Sequence, residues 1–377
     1  MKRIPSAGPS ITELEIKYVN EAIRTGWGDK MRYYIDAFED EFSNYVGCKF
    51  CLTTSHCTDS IHLALLSLDI GPGDEVIVPD LTWVASASPI LSVGAIPRFV
   101  DVDINSWCIT AKDIEEAITH KTKAVIVVDL LGNTAEWDEI IDLCKKHNIY
   151  IIEDAAEGLG ATYKNKQAGT FGDISVFSFN ATKLIMSGQG GAFCTSNEEL
   201  YKKAKLLSHH GIDKENTGRY YWSTAHGYNY NWTNIQAALA LAQLRRIEDL
   251  IDYKIWLFNE YKSRLISNEF IVLNSASKNI NPTYWISTAI ISPESGHNKE
   301  SLLAHFENTN IDLRPLFYPL SSMPLFSEFN NRINQNTEYL SRQGICLPNG
   351  NNLNLSDIRL ISRKILEVLE NESIRTI

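Results

Sequence analysis

Residues 151–192, IIEDAAEGLGATYKNKQAGTFGDISVFSFNATKLIMSGQGGA, contain two apolar runs that each end in chemically useful side chains. Tyr150-Ile151-Ile152-Glu153-Asp154 reads as a buried parallel strand ending in acids, and Ile174-Ser175-Val176-Phe177-Ser178-Phe179 reads as a second strand. In an open α/β sheet the carboxyl ends of parallel strands border a ligand crevice, and this places Asp154 at its edge. The second strand delivers Ser178 and then Lys183 to the following loop. There Gly188, Gly190 and Gly191 let the backbone turn and come close to a ligand. A lone amine beside a buried acid suits pyridoxal 5′-phosphate: Lys183 condenses with the aldehyde and Asp154 keeps the pyridine nitrogen protonated. Singly, Asp154 reads as a cap or turn former and Lys183 as a solvated lysine; the pairing carries the chemistry.

From Glu75 onward, EVIVPD, PRFVDVD, KAVIVVDLLG and IYIIEDAAE alternate with helical stretches such as AEWDEIIDLCKKHN. That alternation predicts an α/β fold with a mainly parallel sheet covered by helices. At 377 residues the chain exceeds one core, so two domains are expected. Residues 1–250 form a large cofactor-binding domain, whose N-terminal segment can pack elsewhere, and 251–377 a small C-terminal α+β domain. A helix is expected from Ser10, with Glu13 at capping-box spacing, and another over residues 58–68. A third, IQAALALAQLRRIEDL over 235–250, leads out of the large domain near Asp252. Strand-like ISTAIISP and helix-like SLLAHFEN and SDIRLISRKILEVLEN fill the last part, with NGNNLNL as a turn.

A hydrophobic fraction of 44% with 21% charged residues belongs to a folded globular chain. The formal net charge of -11 argues against nucleic-acid binding, which rests on basic patches. Seven scattered cysteines show no zinc-site spacing beyond Cys48 and Cys51, whose apolar neighbours suggest strand packing, so no metal is expected. The opening MKRIPSAGPSITELE lacks an apolar run of signal-peptide length and no run suits a membrane span. The expectation is a cytoplasmic protein with no membrane contact.

EDAAEGLGA, GDISVFSFNATK and SGQGGA resemble the core motifs of the DegT/DnrJ/EryC1/StrS sugar aminotransferases, as do GPGDEVIVPDLTWVASASPILSVGAIPRFVDVD, GYNYNWTNIQAALALAQL, RPLFYPLSSMPLF and RQGICLPNGNN. The likeness runs through nearly the whole chain. It implies a fold-type I (aspartate aminotransferase-like) large domain and a homodimer with shared active sites. EDAAE, the Tyr-Tyr-Trp of residues 220–222 before GYNYNWTNIQAA, and RPLFYPL look most like the perosamine-synthase branch.

The resemblance implies that Thr58, the backbone N–H of Asp59 and Ser178 hold the cofactor phosphate. It puts Trp83 on the ring face, Glu157 near the ring hydroxyl, and Asn229 across the dimer interface at the neighbouring subunit's phosphate. Trp27, Tyr34, Arg314, Phe317 and Tyr318 are expected around the sugar and nucleotide. His56-Cys57 replaces the family's Asn-Gly, Asn231 its arginine, and Asp129 and Ser321 its frequent histidines, which predicts a sugar pocket of altered shape. The implied activity is amination of a nucleotide-linked 4-keto-6-deoxy sugar at carbon 4 with glutamate as donor, for O-antigen or other surface polysaccharide. Amination at carbon 3, and GDP, dTDP or UDP as carrier, stay open. A dehydratase of the same fold, with histidine in place of the lysine, and a scaffold lacking Asp154 or Lys183 are the competing readings, and Lys183 with Asp154 argues against both.

Overall fold

The computed structural model describes residues 3–213, 221–330 and 332–370, so Tyr220 of the Tyr-Tyr-Trp motif lies outside the described residues. The central sheet has seven strands in the order β1-β9-β8-β5-β4-β2-β3. These are β1 (Phe50–Thr54), β2 (Glu75–Pro79), β3 (Ile96–Val100), β4 (Thr122–Val128), β5 (Tyr150–Asp154), β8 (Ile174–Ser178) and β9 (Gly191–Thr195). The short strands β6 (Thr162–Tyr163) and β7 (Lys166–Gln167) join β11 (Ile280–Asn281) in a small separate sheet. Within the central sheet β3, β2, β4, β5 and β8 pair in parallel, and β9 runs antiparallel to both β8 and β1.

The parallel strands read as continuous apolar runs because helices bury them. Val76, Ile77, Val78, Val125, Ile126, Val127 and Ile152 have no exposed surface. Helix Cys57–Ser67 packs on β8 and β9, and helix Trp137–His147 packs on β5. All parallel strands end at the same edge. Val128, Asp154 and Ser178 therefore come together there, and the reversed β9 starts there with Gly191.

A second sheet, β10 (Ile271–Leu273), β12 (Thr288–Ile291), β14 (Gly344–Cys346) and β13 (Arg314–Pro315), is antiparallel throughout. It carries its own core of Leu257, Tyr261, Ile291, Leu302, Ile345, Ile358 and Ile365 with helices Lys299–Glu307 and Leu355–Glu370. Ile4 joins that core through a parallel bridge to Ile311, so the N-terminal segment packs on this smaller α+β unit.

Two expectations about helices are corrected. The first helix spans Glu13–Thr25 with Thr12 as N-cap, and Glu15, not Glu13, closes the capping box. The helix expected over 235–250 is two: Asn234–Leu244 and Ile247–Leu265. Arg246 between them leaves helical geometry (φ -129°, ψ 28°), and Glu15 holds its guanidinium. The division expected at residue 250 thus falls inside the second of these helices.

Glu15 is 1% exposed, and its carboxylate accepts from the Thr12 N–H at 2.7 Å, Gln243 Nε2 at 2.6 Å and Arg246 Nε at 2.6 Å. Burial alone would raise its pKa, but the hydroxyl and guanidinium donors outweigh it and hold the carboxyl below the usual range. Removing the cation leaves a buried carboxylate short of its charge partner. Arg246→Leu should destabilise the fold by about 3 kcal/mol at pH 7. A carboxyl whose folded pKa is depressed stabilises the fold above its unfolded pKa and loses that contribution as pH falls through the folded one. The deficit of the variant should therefore shrink in acid, which paired urea melts at neutral and acid pH will measure.

Candidate active site

A cleft of about 630 Å³ opens at the carboxyl edge of the central sheet and is closed on its far side by β13, β14 and the loop before β12. Asp154, the last residue of β5, projects into it while only 3% exposed. Its Oδ2 accepts from Ser86 Oγ at 2.7 Å and its Oδ1 from the Ala156 N–H at 3.2 Å. Burial pushes its pKa up, and these two donors oppose the rise.

Lys183 lies in the loop joining the antiparallel pair β8 and β9. Bonds from Phe179 N to Gly190 O (2.9 Å) and Ala181 N to Gly188 O (3.0 Å) pinch that loop. Gly188 (φ +84°) and Gly190 (φ +154°) supply the turn, and a Cβ on Gly190 would stand 2.8 Å from the Trp232 ring. The Lys183 ammonium is 3.2 Å from Glu157 Oε1 and 3.7 Å from the centroid of the Trp285 ring. Glu157 is fixed in turn by the Leu131 N–H at 3.0 Å, and the Trp285 indole N–H donates to Thr182 O at 2.9 Å. Gly132 (φ +89°) allows this approach, because a Cβ there would lie 2.3 Å from the Trp285 nitrogen.

Opposite Asp154, helix Cys57–Ser67 starts without a side-chain cap, and its first amides, Cys57 and Thr58, border the cleft. Gly191 brings β9 against that end, since a Cβ on it would be 2.5 Å from Cys57 N. Gly191 also pairs with Ser178, so the hydroxyls of Ser178 and Thr58 flank the same helix start. Burial, aided by the charge of Asp154, lifts the Cys57 thiol well above its ordinary range, so it stays protonated. Trp83 lines the cleft with 59% of its surface exposed, its centroid 6.2 Å from that of Phe317.

Of the residues singled out from the sequence, Lys183, Asp154, Glu157, Thr58, Ser178, Trp83, Arg314 and Phe317 line this one cleft. Tyr34 is a correction: it is 4% exposed, packs against Tyr33 and Tyr18, and its N–H donates to Asn234 Oδ1, so it belongs to the core. Trp27, 64% exposed, bonds to Ile23 O, and neither it nor Tyr318, Asp59 or Asn229 is among the residues that line the cleft of its own chain. The Asp59 carboxylate turns to His56 Nδ1 at 3.2 Å. Ser321, expected to reshape the sugar pocket, instead bonds the buried Asp80 through both Oγ and N–H at 2.7 Å. Trp285, Lys254, Asn349 and Ser86 also line the cleft, and sequence reasoning missed all four.

These groups fit a phosphorylated pyridine aldehyde. Two free amides and two hydroxyls suit a phosphate dianion, an exposed indole face suits a flat ring, and a buried carboxyl and a confined amine remain for the ring nitrogen and the aldehyde. Fold and cleft together define a pyridoxal phosphate-dependent sugar aminotransferase of fold-type I. The chain belongs to the DegT/DnrJ/EryC1/StrS aminotransferase family, whose model matches residues 9–366. It is 39% identical over 367 residues to a GDP-perosamine synthase of Escherichia coli O157:H7, covering 97% of this chain and 99% of the relative. A GDP-perosamine synthase of Vibrio cholerae is 36% identical, with 86% and 87% covered. The PMP form of Spr1654, a sugar aminotransferase of Streptococcus pneumoniae, superposes with a TM-score of 0.91 at 26% identity, covering 99% of both chains.

Directly behind Asp154 stand two further acids. Asp129 donates its N–H to Asp154 O at 3.0 Å and is fully buried, as is Glu153. Thr134 satisfies Asp129 Oδ1 at 2.5 Å, whereas Oδ2 has no hydrogen-bond partner among the described residues and the Glu153 carboxyl acts on the same group. Burial drives Asp129 well above the carboxylate range and Glu153 up to about 7, although the N–H groups of Gly169, Phe171 and Gly172 stabilise the Glu153 anion. Acids with raised folded pKa values destabilise the fold progressively as pH climbs from their unfolded values to their folded ones. Asp129→Asn offers Glu153 an N–H in place of a shared proton. It should raise the melting temperature at pH 8 and leave it nearly unchanged in acid, where the wild-type pair is protonated; calorimetric scans at the two pH values will show it.

Proposed function

We propose that the enzyme transfers the amino group of glutamate to carbon 4 of a nucleotide-linked 4-keto-6-deoxy sugar, in the synthesis of a surface polysaccharide such as an O-antigen. The observation that carries the reading is Lys183 held at 3.2 Å from Glu157 in the cleft that Asp154 borders. Identity of 39% to a GDP-perosamine synthase supports the choice of substrate class. Bound pyridoxal phosphate supplies an electron-accepting ring that makes the donor's Cα–H acidic and carries the amino group between the two substrates.

Lys183 would tether the cofactor through its amine and would serve as base and then acid for the proton on the donor's Cα. Glu157 and the Trp285 face stabilise the ammonium that this transfer produces, and they confine it near the reacting carbon. Asp154 keeps the ring nitrogen protonated, with Ser86 and the Ala156 amide fixing the carboxylate plane. Thr58, Ser178 and the Cys57 and Thr58 amides at the helix start would hold the phosphate, and Trp83 would offer its indole face to the ring. Arg314 and Phe317 at the mouth face the nucleotide.

In a two-fold dimer, Asn229, Trp27 and Tyr318, which do not line their own chain's cleft, reach the partner's site. The large domain over 1–250 then supplies the cofactor groups and 251–377 the far wall. Among the described residues no helix is long and apolar enough to cross a membrane, and the enzyme works in the cytoplasm on dissolved nucleotide sugars. Lys183 also disfavours the dehydratase reading, which needs a residue at that position that does not tether the cofactor.

The decisive assay supplies glutamate with GDP-, dTDP- and UDP-linked 4-keto-6-deoxy sugars and identifies the products by mass spectrometry. A 4-amino sugar with stoichiometric 2-oxoglutarate is expected; release of ammonia with a 3-deoxy sugar contradicts the proposal. Asp154→Asn should retain bound cofactor yet lower kcat at least about a hundredfold, as loss of a charge-assisted contact to the ring predicts. An unchanged kcat refutes its role.

A further inference from the structure

Lys254 stands in helix Ile247–Leu265, is 4% exposed and lines the active-site cleft. Its ammonium donates to Asn349 O, and among the described residues no carboxylate pairs with it. The other cations drawn inward here have counter-ions: Arg246 has Glu15, and Lys183 has Glu157. A buried ammonium with unused N–H donors and no counter-charge is costly unless an anion completes its shell. The described residues supply none, and Lys254 lines the cleft.

We propose that Lys254 anchors a carboxylate of the amino-acid donor, at the inner end of the cleft beside Lys183. The proposal rests on the transaminase reading with an amino acid as donor. Lys254, Lys183 and Asn349 line the cleft together, and the same three residues border a second void of about 10 Å³ with Asn351. The donor's α-carboxylate is attached to the carbon that bears its amino group, so it must lie within a few bonds of the Lys183 position. Within the cleft of about 630 Å³ a small planar anion fits beside Lys254. The nucleotide diphosphate does not, because its sugar and nucleoside need the cleft mouth. Arg314, the cation at that mouth, is 57% exposed in its side chain and already paired with Asp312 at 2.9 Å. Burial pushes the free Lys254 ammonium down to about 7, and a carboxylate arriving beside it would restore the charged form.

Asn349 couples this anchor to the reacting amine. Its carbonyl receives Lys254, its side chain bonds Trp285 O and the Ser287 backbone, and Trp285 covers Lys183. A carboxylate on Lys254 would therefore rest against the wall that fixes the catalytic lysine.

The test uses the wild-type holoenzyme with Lys254→Met and Lys254→Arg. Glutarate, a dicarboxylate without an amine, is titrated by calorimetry, and glutamate is followed through the absorbance of the bound cofactor. Lys254→Met should keep cofactor content and melting temperature, and lose about tenfold or more in affinity for both carboxylates. The KM for the keto sugar should change less than about twofold, and Lys254→Arg should recover part of the loss. Should the methionine variant fail to fold, Lys254→Gln retains a donor to Asn349 O without the charge and carries the same prediction. Unchanged glutarate and glutamate affinities overturn the proposal, and so does a loss confined to cofactor or sugar-nucleotide binding. If the wild-type cofactor absorbance ignores glutamate, the donor assignment fails, while the glutarate titration still reads the anion site.

Discussion

A carboxylate held away from water at the end of a parallel strand is the constraint around which this molecule is arranged. Asp154 can keep a ring nitrogen protonated only if it stays charged or shares its proton with that ring, and burial alone works against charge. Ser86 and the Ala156 amide supply part of the compensation, and a cationic ring would supply the rest. The fold provides the position. Parallel pairing aligns β4, β5 and β8 so that their ends share one edge, and buried apolar strands keep that edge rigid.

The cleft is a joint product of two cores. The central sheet contributes Asp154, Ser178 and the glycine-pinched loop of Lys183, while the second sheet and the loop before β12 contribute Cys346, Arg314 and Trp285, of which Cys346 and Trp285 pack into the central core. Helix Ile247–Leu265 runs between them and brings Lys254 to the same space. Glycines mark the close approaches: Gly132 admits the Trp285 backbone, and Gly191 lets β9 touch the helix start. With Glu157 and Trp285 around it, the Lys183 amine has little freedom, as its proposed role as a proton shuttle requires.

The local part of this design was legible in the sequence. Tyr150–Asp154 and Ile174–Ser178 are short apolar runs bounded by small residues, and both form strands that deliver their polar ends to the cleft. The small polar residues before helix Cys57–Ser67 and its apolar spacing likewise signalled the helix start within one residue. Groups brought in over long sequence distances were not legible. Trp285 and Lys254 carry no local motif, and only tertiary packing sets them against Lys183. Tyr34 failed for a local reason: neighbouring helical residues point about 100° apart, so Tyr33 faces solvent while Tyr34 enters the core. The break at Arg246 falls in a stretch of good helix formers, where its guanidinium meets Glu15 from more than two hundred residues earlier.

The protonation state of the ring is the most direct measure of this account. Holoenzyme carrying 15N-labelled pyridoxal phosphate should show the nitrogen shift of a protonated pyridine from about pH 6 to about pH 9, because a buried carboxylate faces it throughout. A shift of the neutral ring at neutral pH would contradict the role given to Asp154 and the chemistry built on it.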